Sequence, residues 1–186
     1  MKHRVFIALP VPTPLKKEIL KWQREHSDMP VRFLKNSTLH ITVIPPWYTD
    51  NLKAVRQTLR AMEKPKTVTL TFTDIAFGPT EKNPRLIWVT GVKNLRLQTA
   101  KQAFEHILGV TPEKRPLIPH ITIARLLLRQ AQDSARQARL HHLKNPSAFP
   151  KSKIHWKARI KSFCLMESRL MRTGAQYRII QTYHLS

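Results

Sequence analysis

Leu39-His40-Ile41-Thr42-Val43 and Pro119-His120-Ile121-Thr122-Ile123 are two copies of one pattern, His-apolar-Thr-apolar, each set in an apolar run. Strand alternation predicts that the histidine and threonine of each copy point to one face, about 7 Å apart along the backbone, while the aliphatic residues anchor the other face in a core. Each strand then offers an imidazole and a hydroxyl to a cleft. An imidazole titrates near pH 6.5, so of two in one cleft one serves as base and the other, protonated, as acid at neutral pH. The threonine hydroxyls can donate to an oxyanion. A single such histidine reads as a hydrogen-bonded structural residue; two at equivalent places point to a paired role. Zinc requires three or four protein ligands, and no cysteine or carboxylate spacing accompanies these histidines. The pattern therefore predicts acid/base chemistry with no metal and no cofactor.

Working outward, Val5 to Leu9 reads as a short strand, and Pro14 suits the first turn of a helix carrying Leu15, Ile19 and Trp22 on one face. Pro45-Pro46 is expected to end the strand of the first motif. A helix capped by Thr49 or Asp50 follows, with Leu52, Val55, Leu59 and Met62 at helical spacing, and then a strand in which Val68, Leu70 and Phe72 alternate with threonines. The second half repeats the programme: a strand over Leu86 to Val89, a helix marked by Leu97, Ala100, Phe104, Ile107 and Leu108, and the strand of the second motif. With Phe6 placed against Ile87, the histidines follow at 34 and 33 residues, as a duplicated unit would have them.

Residues 129–150 read as a basic insertion, helical from Arg129 to His142, with Arg136 and Arg139 among its polar positions. Beyond it Ile154, Trp156, Ala158 and Ile160 alternate with Lys153, His155, Lys157, Arg159 and Lys161. The phase then shifts to Phe163 and Leu165, which predicts a bulge near Ser162. The basic row is open to two readings, an RNA track or protection of a sheet edge. Strands mixed with fewer helices predict an α+β class, and 186 residues with 41% hydrophobic content suffice for one domain, 1–186, built from two pseudo-symmetric lobes.

Charge limits the function classes further. Thirty-three Lys and Arg against 11 Asp and Glu give a net +22. Such an excess predicts a polyanionic partner, most commonly a nucleic acid, over a charge that only sets solubility. No run approaches the roughly eighteen apolar residues of a membrane span. A lone Cys164 and the lack of a secretory signal predict a reducing, cytoplasmic setting, and a monomer is expected.

The chain resembles the 2H phosphoesterase superfamily, and within it the LigT-like RNA 2',3'-cyclic phosphodiesterases, also called 2'-5' RNA ligases. The resemblance lies in Arg4 to Pro10, Leu39-His40-Ile41-Thr42, Arg115 to Arg125, and Leu165 to Leu170 with Tyr177. It implies a bilobal pair of antiparallel sheets, helices outside, and a central cleft holding His40 and His120. It further implies hydrolysis of RNA 2',3'-cyclic phosphate ends to 2'-phosphates, with His120 as base toward water and His40 as acid toward O3'. A 5'-hydroxyl replacing water would join ends through a 2'-5' linkage. Thr42 and Thr122 would bind phosphate, and so would Arg125, although strict alternation turns Arg125 away from His120. Ile44-Pro45-Pro46-Trp47 departs from the Phe-Leu-Gly-like turn of close relatives; Trp47 is either a base-stacking residue or a packed loop aromatic. Two rival readings are an RNA-binding protein without turnover, and an esterase of small cyclic nucleotides or ADP-ribose cyclic phosphate.

Overall fold

The structure, a computed structural model, describes residues 2–80, 84–126, 152–171 and 174–186. The helix and basic insertion expected over residues 129–150 lie outside them. Described in chain order are β1 (His3–Pro10), α1 (Thr13–Glu25), β2 (Val31–Phe33), β3 (His40–Thr49), α2 (Leu52–Ala61), β4 (Val68–Gly78), β5 (Leu86–Gly91), α3 (Leu95–Leu108), β6 (His120–Leu126), β7 (Ser152–Ile160), β8 (Ser162–Met171) and β9 (Gly174–His184). No described helix is long and apolar enough to cross a membrane.

The strands form a continuous antiparallel sheet in the order β7-β4-β5-β6-β3-β1-β8-β9. Its halves meet where β3 and β6 touch, at the registered pair Ile41–Ile121, and the rest of that edge of β6 is taken by β2 through Val31–Leu126 and Phe33–Ala124. The two strands diverge from this one pair, which opens a cleft between the half-sheets. Each half repeats the other's register at an offset of 80 residues. Pro10 pairs with His40 as Thr90 pairs with His120, and Ala8 with Thr42 as Trp88 with Thr122. Both halves carry the same bulge, at Val43 between the pairs Ile7–Ile44 and Ala8–Thr42, and at Ile123 between Ile87–Ala124 and Trp88–Thr122. Phe6 therefore corresponds to Leu86, one residue from the sequence alignment of Phe6 with Ile87.

One face of the sheet is the core. Ile7, Leu9, Ile41, Val43, Leu70, Phe72, Ile121, Ile123, Phe163 and Leu165 join Leu15, Ile19 and Trp22 of α1 and Leu97 and Phe104 of α3 in a single cluster. Burial of this kind contributes about 25 cal/mol per Å² of apolar surface. The helices tie the halves together. Gln23 of α1 donates to the Ile123 carbonyl at 3.0 Å, and Phe104 of α3 packs edge-on against Phe163 of β8 at 4.8 Å. The loop entering β6 is also held from α3: Gln98 accepts from the Leu117 amide at 3.0 Å, and Glu105, paired with the fully buried Lys101, accepts from the Glu113 amide.

Three local expectations are corrected. β3 continues through Pro45-Pro46, because those residues stand together opposite Phe6 in a bulge between the pairs Val5–Trp47 and Ile7–Ile44, where no ladder N–H is needed. The cap of α2 is Asn51, which accepts from the Ala54 amide at 2.9 Å. The phase shift near Ser162 marks a change of strand: β7 pairs with β4 at one edge of the sheet, whereas β8 pairs with β1 in the other half.

Candidate active site

His40 and His120 open their strands on the face opposite the core, each half-buried, with Thr42 and Thr122 two residues on. Antiparallel pairing of Ile41 with Ile121 sets His40 across from Thr122 and Thr42 across from His120. The four polar side chains therefore form one group. A turn of 3-10 helix, Asn36–Thr38, aims the Thr38 carbonyl at His40, whose Nδ1–H donates to it at 2.7 Å; His120 Nδ1–H donates to the Ile118 carbonyl at 3.0 Å. A carbonyl only accepts, so each neutral ring carries its proton on Nδ1 and leaves Nε2 for chemistry.

The surroundings of the two rings differ. His40 lies against Phe6 at 5.2 Å and edge-on to Tyr177 at 4.9 Å, in a small apolar cluster with Ala8, Cys164 and Met166. Burial there lowers its pKa below the ordinary histidine value, an effect offset in part by the Thr38 hydrogen bond and reinforced by repulsion from His120. His120 stacks on Trp88, with ring centroids 4.1 Å apart and planes at 30°. Gly78 lies against the indole, where a Cβ would come within 2.4 Å of the ring. Among the described residues the buried Trp88 Nε1 has no hydrogen-bond partner, so packing positions the ring.

Arg125 is turned to the cleft face, whereas strict alternation along the strand would turn it away from His120. Ile123 and Ala124 are both fully buried, because the bulge at Ile123 advances the alternation by one, and Arg125 returns to the cleft face. It lines a cavity of about 490 Å³ with Arg32, Phe33, Lys35, Thr38 and Tyr177, beside His40. Trp47 is not brought to the cleft. It pairs with Val5 and packs against the main core. Sequence reasoning missed Trp88, Gly78, Phe6 and Arg32 as neighbours of the site. The signal for Trp88 was the 80-residue offset, which places it at the position of Ala8 and so beside the second motif. A larger cavity, about 670 Å³, lies at the end of α3 among Gln98, His106 and Glu113 and holds neither histidine. Among the described residues no group of three or more His, Cys, Asp or Glu is arranged to hold a metal ion.

The family model described as "2'-5' RNA ligase superfamily" matches residues 11–169, which include both motifs and Arg125. The chain belongs to the 2'-5' RNA ligase superfamily. Its curated relatives include the RNA 2',3'-cyclic phosphodiesterase of Methanocaldococcus jannaschii, 27% identical over 125 residues that span 66% of this chain and 71% of that protein. Among solved structures, TT0787 of Thermus thermophilus superposes with a TM-score of 0.70 at 18% identity, over 98% of this chain and 97% of the other. LigT of E. coli in apo form gives 0.70 at 19% identity, over 100% and 98%. The same enzyme complexed with 3'-AMP gives 0.68, over 100% and 99%. These solved structures share the α+β fold of this chain.

Proposed function

We propose that this protein hydrolyses RNA 2',3'-cyclic phosphate ends to 2'-phosphates, with His40 and His120 as the proton-transfer pair. The observation that carries the reading is the facing pair of His-x-Thr strands, each imidazole pinned through Nδ1 with Nε2 free. Membership of a superfamily whose relative in M. jannaschii is an RNA 2',3'-cyclic phosphodiesterase supports the substrate class. Thr42, Thr122 and Arg125 bind the non-bridging phosphate oxygens, Arg125 through its planar fork. The protein acts as a cytoplasmic monomer, one domain whose cleft needs both lobes.

The environments divide the two roles. When the pKa values of two imidazoles differ, the one that stays unprotonated serves as the base. Burial and repulsion lower the His40 pKa and so favour its neutral form; His40 Nε2 takes a proton from water as its oxygen bonds to phosphorus. The P–O3' bond breaks, and O3' receives the proton of His120 Nε2. This reverses the assignment implied by resemblance. Solvent exchange returns both rings to their starting states. With a 5'-hydroxyl in place of water, the same displacement forms a 2'-5' linkage.

The test is incubation with RNA ending in a 2',3'-cyclic phosphate and identification of the product by phosphorus NMR. A 2'-phosphate is expected, and its loss in His40→Ala and His120→Ala. A predominant 3'-phosphate overturns the orientation of the substrate, and full activity in either folded variant overturns the pair.

A further inference from the structure

Strand β7 closes one end of the sheet, and its two faces differ in character. Trp156, Ala158 and Ile160 pair with Phe72, Leu70 and Val68 of β4, and all six join or pack on the main core. The alternate residues Lys153, His155, Lys157 and Arg159 are exposed. They lie on the opposite face, which is the face of His40 and His120, since Ile41 and Ile121 belong to that same core. A straight rung crosses the sheet from the site: His120 pairs with Thr90, Thr90 with Asp74, and Asp74 with Lys153. Lys153 is neutralised by Asp74 at 2.7 Å, whereas among the described residues no carboxylate pairs with Lys157 or Arg159. Their registered neighbours are the hydroxyl donors Thr71 and Thr69. Edge protection alone would not require the cations and hydroxyls to share the face that leads to the histidines.

We infer that Lys157 and Arg159, with His155, Thr71 and Thr69, form a track for the sugar-phosphate backbone of single-stranded RNA whose cyclic-phosphate end lies between His40 and His120. The inference rests on the reading of the cleft proposed above and extends it to a polynucleotide substrate. Alternate residues of a strand recur about every 6.6 Å, and three inter-strand steps of about 4.8 Å separate β7 from β6. Lys157 then lies roughly 20 Å from His120. That corresponds to roughly three to six nucleotides from the reacting end, between an extended strand and the 3.4 Å spacing of a stacked one.

The experiment compares wild type with Lys157→Glu/Arg159→Glu on an RNA of about ten nucleotides ending in a cyclic phosphate, and on a cyclic-phosphate dinucleotide. On the longer RNA, kcat/KM of the variant should fall about tenfold or more, and its log-log salt dependence should flatten by about 1.4, from about 0.7 for each of two lost contacts. The dinucleotide should respond within about twofold, because it ends short of the track. A charge-matched control on α1, Lys17→Glu/Arg24→Glu, should leave both substrates unaffected. Equal losses on long and short substrates, an unchanged salt slope, or an equal effect of the control overturns the track. If wild type turns over neither substrate, the cyclic-phosphate reading fails on its own. Direct binding of the same RNA with a 3'-hydroxyl end then tests the track, and equal affinity of wild type and variant overturns it.

Discussion

Replacing Gly78 by alanine adds only one methyl group, yet turnover should fall about a hundredfold. A Cβ on Gly78 would stand 2.4, 2.6 and 2.7 Å from three atoms of the Trp88 ring, whereas ordinary contact begins near 3.4 Å. The ring must therefore retreat by about 1 Å, the difference between 3.4 and 2.4 Å. Among the described residues the indole Nε1 has no hydrogen-bond partner to resist the movement, and the same ring stacks on His120 at 4.1 Å. Displacing a catalytic group by about 1 Å costs on the order of 100-fold. Overpacking also lowers stability, by about 1–3 kcal/mol. The assay is kcat on a cyclic-phosphate substrate, measured where urea titration shows the variant fully folded. Gly78→Ala/Trp88→Phe, with a smaller ring, should recover part of the loss. A folded Gly78→Ala protein with wild-type kcat would show that the Ile118 hydrogen bond places His120 unaided, and would refute the reasoning.

His40→Ala and His120→Ala should each lower turnover by roughly two to four orders of magnitude. A cyclic substrate with sulfur at the 3' bridging position separates their roles: a thiolate leaves without protonation, so it should rescue His120→Ala and not His40→Ala, and the opposite pattern would restore the assignment implied by resemblance. Because His40 must be neutral to act and its pKa lies below the ordinary value near 6.5, activity should persist below pH 6.5 and fall only at more acid pH; the limb measured in a rate profile belongs to the coupled pair. Lys101→Met should destabilise the protein by about 3–5 kcal/mol in urea titrations, since it leaves the Glu105 carboxylate buried without its cation. The double variant Lys101→Met/Glu105→Leu should regain most of that loss.

The sequence by itself determined what depends on a chain's own period. His40 and Thr42 share a face because strand side chains alternate, and Leu15, Ile19 and Trp22 share one because helix positions three and four apart coincide. Those rules need no partner, and the family resemblance added the cleft and its chemistry. Tertiary structure decided whatever a second strand imposes. Arg125 reaches the cleft only because the pairing of β6 with β5 absorbs Ile123 in a bulge, a shift in phase that alternation along one strand cannot register. Pro45-Pro46 lies within β3 because the bulge opposite Phe6 asks no N–H of it, and Lys161 separates strands in different halves because β7 and β8 have different partners. Trp88 and Gly78 became parts of the site, and Trp47 part of the core, through contacts between strands far apart in the chain. The difference in environment between two near-identical motifs has the same origin, since their local sequences are alike and only the packing around each ring differs. Desolvation follows from what surrounds an imidazole in space; for His40 those neighbours are Phe6 and Tyr177, 34 and 137 residues away along the chain.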